Sequence, residues 1–195
     1  LSSAQLVSMT TQQIAAMESV DLVSLTTAQV SSMTSAQIAA LTTYQISKLL
    51  TAQISALSTQ AIAAIETDDI AALTTAQVAA MTTNQIKALA TNQVVALTTA
   101  QTASLKTAQL LAFSTNQLRA LETTDFAALT TAQLVVLLTS QISSLSTAHI
   151  AAITTSLISS LSTNQLTAFT SSQINALSTA QISAMTSAQK KIIGY

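Results

Sequence analysis

Seven carboxylates fall into three clusters: Glu18 with Asp21, Glu66 with Asp68 and Asp69, and Glu122 with Asp125. Acids this close suggest oxygen ligation of a hard cation such as Ca²⁺, or a paired general acid and base. Each of them, however, lies at the start of a short helical pattern. There a carboxylate caps free N–H groups and suits the positive end of a helix. Capping is therefore the expected role. No catalytic, cofactor or metal site is assigned, and the seven acids stand as the Ca²⁺ candidates.

The chain has one histidine, His149, and no cysteine. Thiolate chemistry, disulfides and thiol-rich metal sites are thereby excluded. His149 sits in STAHIAA where neighbouring segments read TTAQ, so it reads as a substitute for glutamine. A hydrolytic triad would need one serine singled out beside it, and nothing in the sequence does so. The cations Lys48, Lys87, Lys106, Arg119, Lys190 and Lys191 are dispersed apart from the last two. With a net charge of −1 there is no basic field for nucleic acid. Gly194, the single glycine, supports no phosphate loop. The repeated Ser and Thr residues are the one feature that could act by number, as glycosylation sites or as a regular surface facing ice, mineral or glycan. Capping explains the same spacing without a ligand.

These residues are placed by a period of eight, which runs without insertion through 24 octads over residues 1–192 and leaves Ile193, Gly194 and Tyr195 as a tail. Column one is apolar and column three is Ser or Thr in all 24 octads; column two is Ser or Thr in 17. Column five is Gln in 18, column six is Ile, Leu, Val or Phe in 22, and column eight is Ala or Ser in 21. A straight helix advances about 100° per residue, so a period of eight overshoots two turns by roughly 80° and the apolar columns would spiral around it. One long helix would have no fixed buried face.

The hydroxyl columns supply the alternative. Thr-x-x-Gln across columns two to five is a capping box, and an invariant hydroxyl before an apolar pair marks a helix start. Each octad is expected to restart a helix of about one and a half turns, bent at the hydroxyl pair; only column two has Gln at the capping-box distance. Two apolar side chains cannot order eight residues alone, since ordering costs about 12 kcal/mol and their burial returns roughly 3–6. Neighbouring octads must complete the core, which is the logic of a solenoid. The expected fold is all-α, a solenoid or superhelix of very short capped helices in one array. A β-solenoid with stacked Thr ladders is the alternative, disfavoured by abundant Ala, Gln, Leu and Met. The acidic octads begin at residues 17, 65 and 121, and Phe113 and Phe169 lie 56 apart. Those spacings suggest a longer period of six or seven octads.

Runs such as LTTAQVAAMTTNQIKAL and IETDDIAALTTAQVAAM resemble the LTTxQIxAL-type repeat tracts of very large bacterial surface or secreted proteins, often labelled adhesion or heme-utilisation proteins. The resemblance spans essentially the whole chain, with Leu50, Lys106 and Leu138 as departures in column two. It implies an extracellular or cell-surface stalk, adhesin or filament component and transfers no site residues. The longest apolar run, Leu134 to Leu138, is far below the ~20 residues of a membrane span. The expectation is a non-enzymatic structural repeat module, self-associating or flanked by further repeats, with no nucleic-acid partner and no cofactor. The alternative is a binding solenoid that presents a repetitive Thr, Ser and Gln face to glycan, ice, mineral or protein. The chain starts at Leu1 without Met or a charged leader, so it is expected to be part of a longer array.

Overall fold

The computed structural model describes residues 1–195 and contains 24 short helices, α1 to α24, one per octad, and no strand. Helices run from four to seven residues. Each starts at column three and stops at column seven or eight in most octads. The β-solenoid alternative is overturned: the threonines that would have built its ladders lie at helix starts.

Local chemistry explains both ends of each helix. In α11 (Thr83–Ala88), Thr82 is extended at φ −74°, ψ 160°, and its hydroxyl accepts the Gln85 N–H at 3.2 Å. The Gln85 side-chain carbonyl oxygen accepts the Thr82 N–H in return, at 2.7 Å. Two N–H groups that a helix start leaves without partners are thus satisfied reciprocally. At the other end Leu89 is extended at ψ 131°, with its N–H donated three residues back to the Ile86 carbonyl at 3.2 Å. That tight closing bond ends the helix, and columns one and two form the corner. The capping hydroxyl is therefore column two. Column three is the first helical residue and caps none of the 24 helices.

The chain divides into two compact units, Leu1–Leu97 and Thr98–Tyr195. Within the first, α1 (Ser3–Ser8) packs on α4 (Thr27–Ser32), α4 on α7 (Thr51–Ala56) and α7 on α10 (Thr75–Ala80). Within the second, α13 (Thr99–Ser104) packs on α16 (Thr123–Ala127), α16 on α19 (Thr147–Ala152) and α19 on α22 (Ser171–Asn175). Three octads therefore make one coil, repeated as a superhelix within each unit. Column six fills the interior, with Ile38, Ile46, Ile54 and Ile86 fully buried. Column one closes the corners from inside, as Leu49, Leu57 and Leu89 do. Ala or Ser in column eight keeps the approach to the next corner narrow.

The three-octad coil corrects the longer period. Six octads are two whole coils, but seven are not a whole number. Phe113 and Phe169, both buried in the second unit, are seven octads apart and lie on different sides of the coil. At the C-terminal end, α24 (Ser187–Ile193) extends into the expected tail. Ile193 is buried as a further column-one residue, and Gly194 closes the helix at φ 85°, a left-handed conformation suited to glycine.

Candidate functional surface

Column five carries the most chemistry in the interior. Gln85 uses its oxygen for the cap and its Nε2 for the preceding coil, donating to the carbonyls of Ile54 and Leu57, each at 2.8 Å. Gln37 donates in the same way to Leu6 at 2.8 Å and Met9 at 2.9 Å. In the second unit Gln181 donates to Ile150 at 2.9 Å and Ile153 at 2.7 Å. The partners lie 31 and 28 residues back each time. A single buried amide thus caps its own helix and clamps the coil beneath it. The expected face of solvent-exposed glutamines is overturned, because Gln37, Gln45, Gln53, Gln77, Gln85 and their interior counterparts are buried.

Either half of the cap can be absent: α8 (Thr59–Ala63) and α20 (Thr155–Ile158) have Ala61 and Leu157 in column five and keep the hydroxyl half alone, with Ser58 and Thr154 accepting their N–H groups, and four other octads keep the glutamine half alone. Leu50, Ala90, Lys106 and Leu138 have no capping side chain. Their N–H groups still donate to Gln53, Gln93, Gln109 and Gln141 at 2.7–2.9 Å.

His149 reproduces both functions of glutamine. Its Nδ1 lies 3.3 Å from the Ser146 N–H nitrogen and 2.7 Å from the Ser146 hydroxyl, and its Nε2 lies 2.8 Å from the Leu121 carbonyl oxygen. An acceptor at Nδ1 and a proton on Nε2 satisfy all three contacts. The ring meets Phe126 edge-on at 5.2 Å between centroids. The unusual aromatic of column six and the unusual imidazole of column five thus belong together, brought into contact from successive coils.

The acids behave differently from expectation. Glu18, Glu66 and Glu122 occupy N-cap positions but make no side-chain cap hydrogen bond. A glutamate side chain is one methylene longer than the capping aspartate and overshoots the N–H that a Thr hydroxyl reaches. These three, like Asp21 and Asp68, face solvent. Asp69 and Asp125 stand in column five and are buried. Asp125 accepts from the Thr99 hydroxyl at 2.5 Å, and Asp69 is hydrogen-bonded by Thr43. Too short to clamp carbonyls and unable to donate when ionised, an aspartate takes a column-three hydroxyl of the preceding coil instead. Burial pushes the Asp69 carboxyl above the usual carboxylate range; the Thr43 hydrogen bond opposes that shift, and Glu66 and Asp68 add to it. No three acidic or histidine side chains gather into a group that would hold a metal ion, so Glu18, Asp21, Glu66, Asp68, Asp69, Glu122 and Asp125 are not brought together around a common point.

Solvent meets columns two, three and four, as at Thr82, Thr83 and Asn84, and column seven, as at Lys87. Lys48 lies over the exposed Tyr44 ring, 4.9 Å from its centroid. Thr102 is the one buried polar side-chain atom without a hydrogen-bond partner: its hydroxyl stands in column six with no exposure. No helix is long and apolar enough to cross a membrane.

No curated protein matches the chain. The ALTTAQ repeat family matches at residues 14–51, 62–99, 118–155 and 158–190. Each match begins in column six and spans columns two to five of four octads, at least two of them with the complete cap. With most of its length matched in this register, the chain belongs to the ALTTAQ repeat family.

Proposed function

We propose that the chain is a non-enzymatic structural module, a stalk, spacer or filament segment of an extracellular or cell-surface protein that associates with copies of itself or with flanking repeats. The observation that carries the reading is the column-five clamp. The polar side chains most able to bind a ligand are buried between coils, where they hold one coil on the next. The apolar side chains do the same work, which leaves an outer surface rich in Thr, Ser and Ala. Repetition that serves coil-to-coil attachment sets length, and a length-setting element is what the bacterial surface tracts it resembles would require.

A second reading has an observation of its own. The column-three hydroxyls cap nothing and are mostly exposed, so they form a regular hydroxyl surface that could meet a glycan or an ordered solid. Two measurements separate the readings. Antibody against the chain should label intact source cells, and labelling only after permeabilisation would overturn the surface location. The purified chain should show no saturable binding on a glycan array. Saturable binding that disappears when several column-three Thr are changed to Val would replace the structural reading by the binding one.

A further inference from the structure

Between Met9 and Ile65 of the first unit the column-five clamp is interrupted once, over two consecutive corners. The carbonyls of Met9, Met17 and Leu25 accept from Gln37, Gln45 and Gln53, and those of Leu49, Leu57 and Ile65 accept from Gln77, Gln85 and Gln93, at 2.7–2.9 Å. The carbonyls of Met33 and Leu41 accept no side-chain amide, because the residues that stand 28 positions on are Ala61 and Asp69. In octad eight the usual Ala-Gln order is reversed to Gln60-Ala61, so the Gln60 amide is exposed and the Ala61 methyl is buried in its place. In octad nine the Asp69 side chain is held by the Thr43 hydroxyl, and an ionised carboxylate has no hydrogen to give a carbonyl.

The place of the gap on the coil gives it a direction. Corners Leu25 and Leu49 are three octads apart and lie on one side, and Met33 and Leu41 occupy the other two sides. The coil of α7 to α9 is therefore clamped to the coil of α4 to α6 by Gln53 alone, which donates to Leu22 at 3.0 Å and Leu25 at 2.9 Å. On the other two sides α8 packs on α5 (Ser35–Ala39) and α9 (Thr67–Ala72) packs on α6 (Thr43–Lys48). Ile62 and Ile70 are fully buried there, without a clamp beside them.

We propose that this gap is a seam at which the first unit opens. The coil of α7 to α9 parts from the coil beneath it where α8 meets α5 and α9 meets α6, while Gln53 keeps the two coils fastened where α7 meets α4. At a clamped corner such an opening breaks a pair of amide hydrogen bonds. At Met33 and Leu41 it breaks none of that kind, and the water that enters supplies the carbonyls with donors. Helices of five or six residues hold their backbone bonds only while they are packed. Parting therefore unwinds α8 and α9 and leaves α7 and α10 wound. The device is a joint: the unit yields at a set place and on set sides, and not at whichever corner loosens first.

Residue-resolved amide hydrogen exchange on the full 195-residue chain tests it. The Ile62 N–H, bonded to the Ser58 carbonyl, and the Ile70 N–H, bonded to that of Glu66, report on α8 and α9. After correction for intrinsic rates they should exchange at least roughly tenfold faster than the Ile54 and Val78 N–H groups of α7 and α10, bonded to Leu50 and Thr74. Ala61→Gln together with Asp69→Gln refills both corners and should bring all four amides within about threefold of one another. In the refilled chain, Gln77→Ala with Gln85→Asp moves the gap and should transfer the fast exchange to Val78 and Ile86. If the refilled chain loses its helical circular dichroism, Asp69→Gln alone replaces it and should slow Ile70 while Ile54 is unchanged. Uniform exchange at the four amides of the wild type overturns the proposal, as does fast exchange at Ile62 and Ile70 that survives the refilling. A spacer and a binding solenoid can carry such a joint equally, so neither result touches the structural-module reading, which antibody labelling and the glycan array test separately.

Discussion

Replacing Gln85 by glutamate changes one atom and reverses the coil-to-coil clamp. The oxygen that accepts the Thr82 N–H is retained, while the Nε2 that donates to Ile54 and Leu57 at 2.8 Å becomes a second carboxylate oxygen facing two carbonyls. Two hydrogen bonds worth about 1 kcal/mol each are lost. The Leu57 carbonyl, at a corner outside any helix, takes no backbone N–H and is left without a donor. The new charge is almost completely buried, at a position 2% exposed. Together these give a destabilisation of about 3–5 kcal/mol at neutral pH. Its pH dependence follows from the same geometry. Burial between carbonyls raises the folded-state pKa of the introduced carboxyl above its unfolded value, so the protonated acid is favoured by folding. The variant should then recover stability as pH falls, since the neutral acid regains one donor, and lose it as pH rises through the raised pKa. Urea unfolding followed by circular dichroism at neutral and acid pH reads this directly. Gln85→Met serves as the uncharged control, with about 2–3 kcal/mol lost at either pH. A neutral-pH loss below about 1 kcal/mol, or a loss that does not shrink in acid, would refute the clamp.

Other substitutions probe the same design. Asp69→Gln should stabilise by about 1–2 kcal/mol, by restoring donation to the Ile38 and Leu41 carbonyls 31 and 28 residues back. Because the Asp69 carboxyl is held above its usual range, its own contribution to stability is most favourable in acid and is lost as pH rises through that value. The gain from Asp69→Gln should therefore be larger at neutral pH than in acid, and an equal gain at both would contradict it. Thr102→Val removes the buried hydroxyl without a partner at almost constant volume and should raise the urea midpoint, by about 1 kcal/mol in stability. Thr82→Val, which deletes a capping hydroxyl, should cost about 1 kcal/mol, while Thr83→Val next to it should cost under about 0.5 kcal/mol. Equal effects at the two positions would mean that the assignment of the cap to column two is wrong.

Much of this architecture was legible because each column has a single chemical demand. The Thr-x-x-Gln spacing separates column two from column three as the cap, although the invariance of column three pulls the reading the other way. Replacement of Gln by His at residue 149 reads as like for like, since an imidazole also has one donor and one acceptor. The number of octads in a coil was not legible. An eight-residue period fixes which residues face inward, but the turn made at each corner comes from backbone angles that no column spells out. For the same reason the second function of Gln85 was hidden, because the carbonyls it clamps belong to the coil before its own. The acids show the complementary limit. Position at a helix start was visible for Glu18, Glu66 and Glu122, but whether a longer side chain reaches the N–H is a matter of geometry.

The three-octad coil also bears on how such an array changes over generations. Near-identical octads invite slippage and unequal recombination, and the gain or loss of one octad keeps every column in phase, so the helices and their caps survive. What changes is azimuth: each octad beyond the insertion moves a third of the way around the coil. Residues that formed a vertical row on one side are redistributed to another, and only gains or losses of whole coils preserve the rows. Length can thus drift in single octads while any ligand that reads a surface row experiences a scrambled pattern two times out of three.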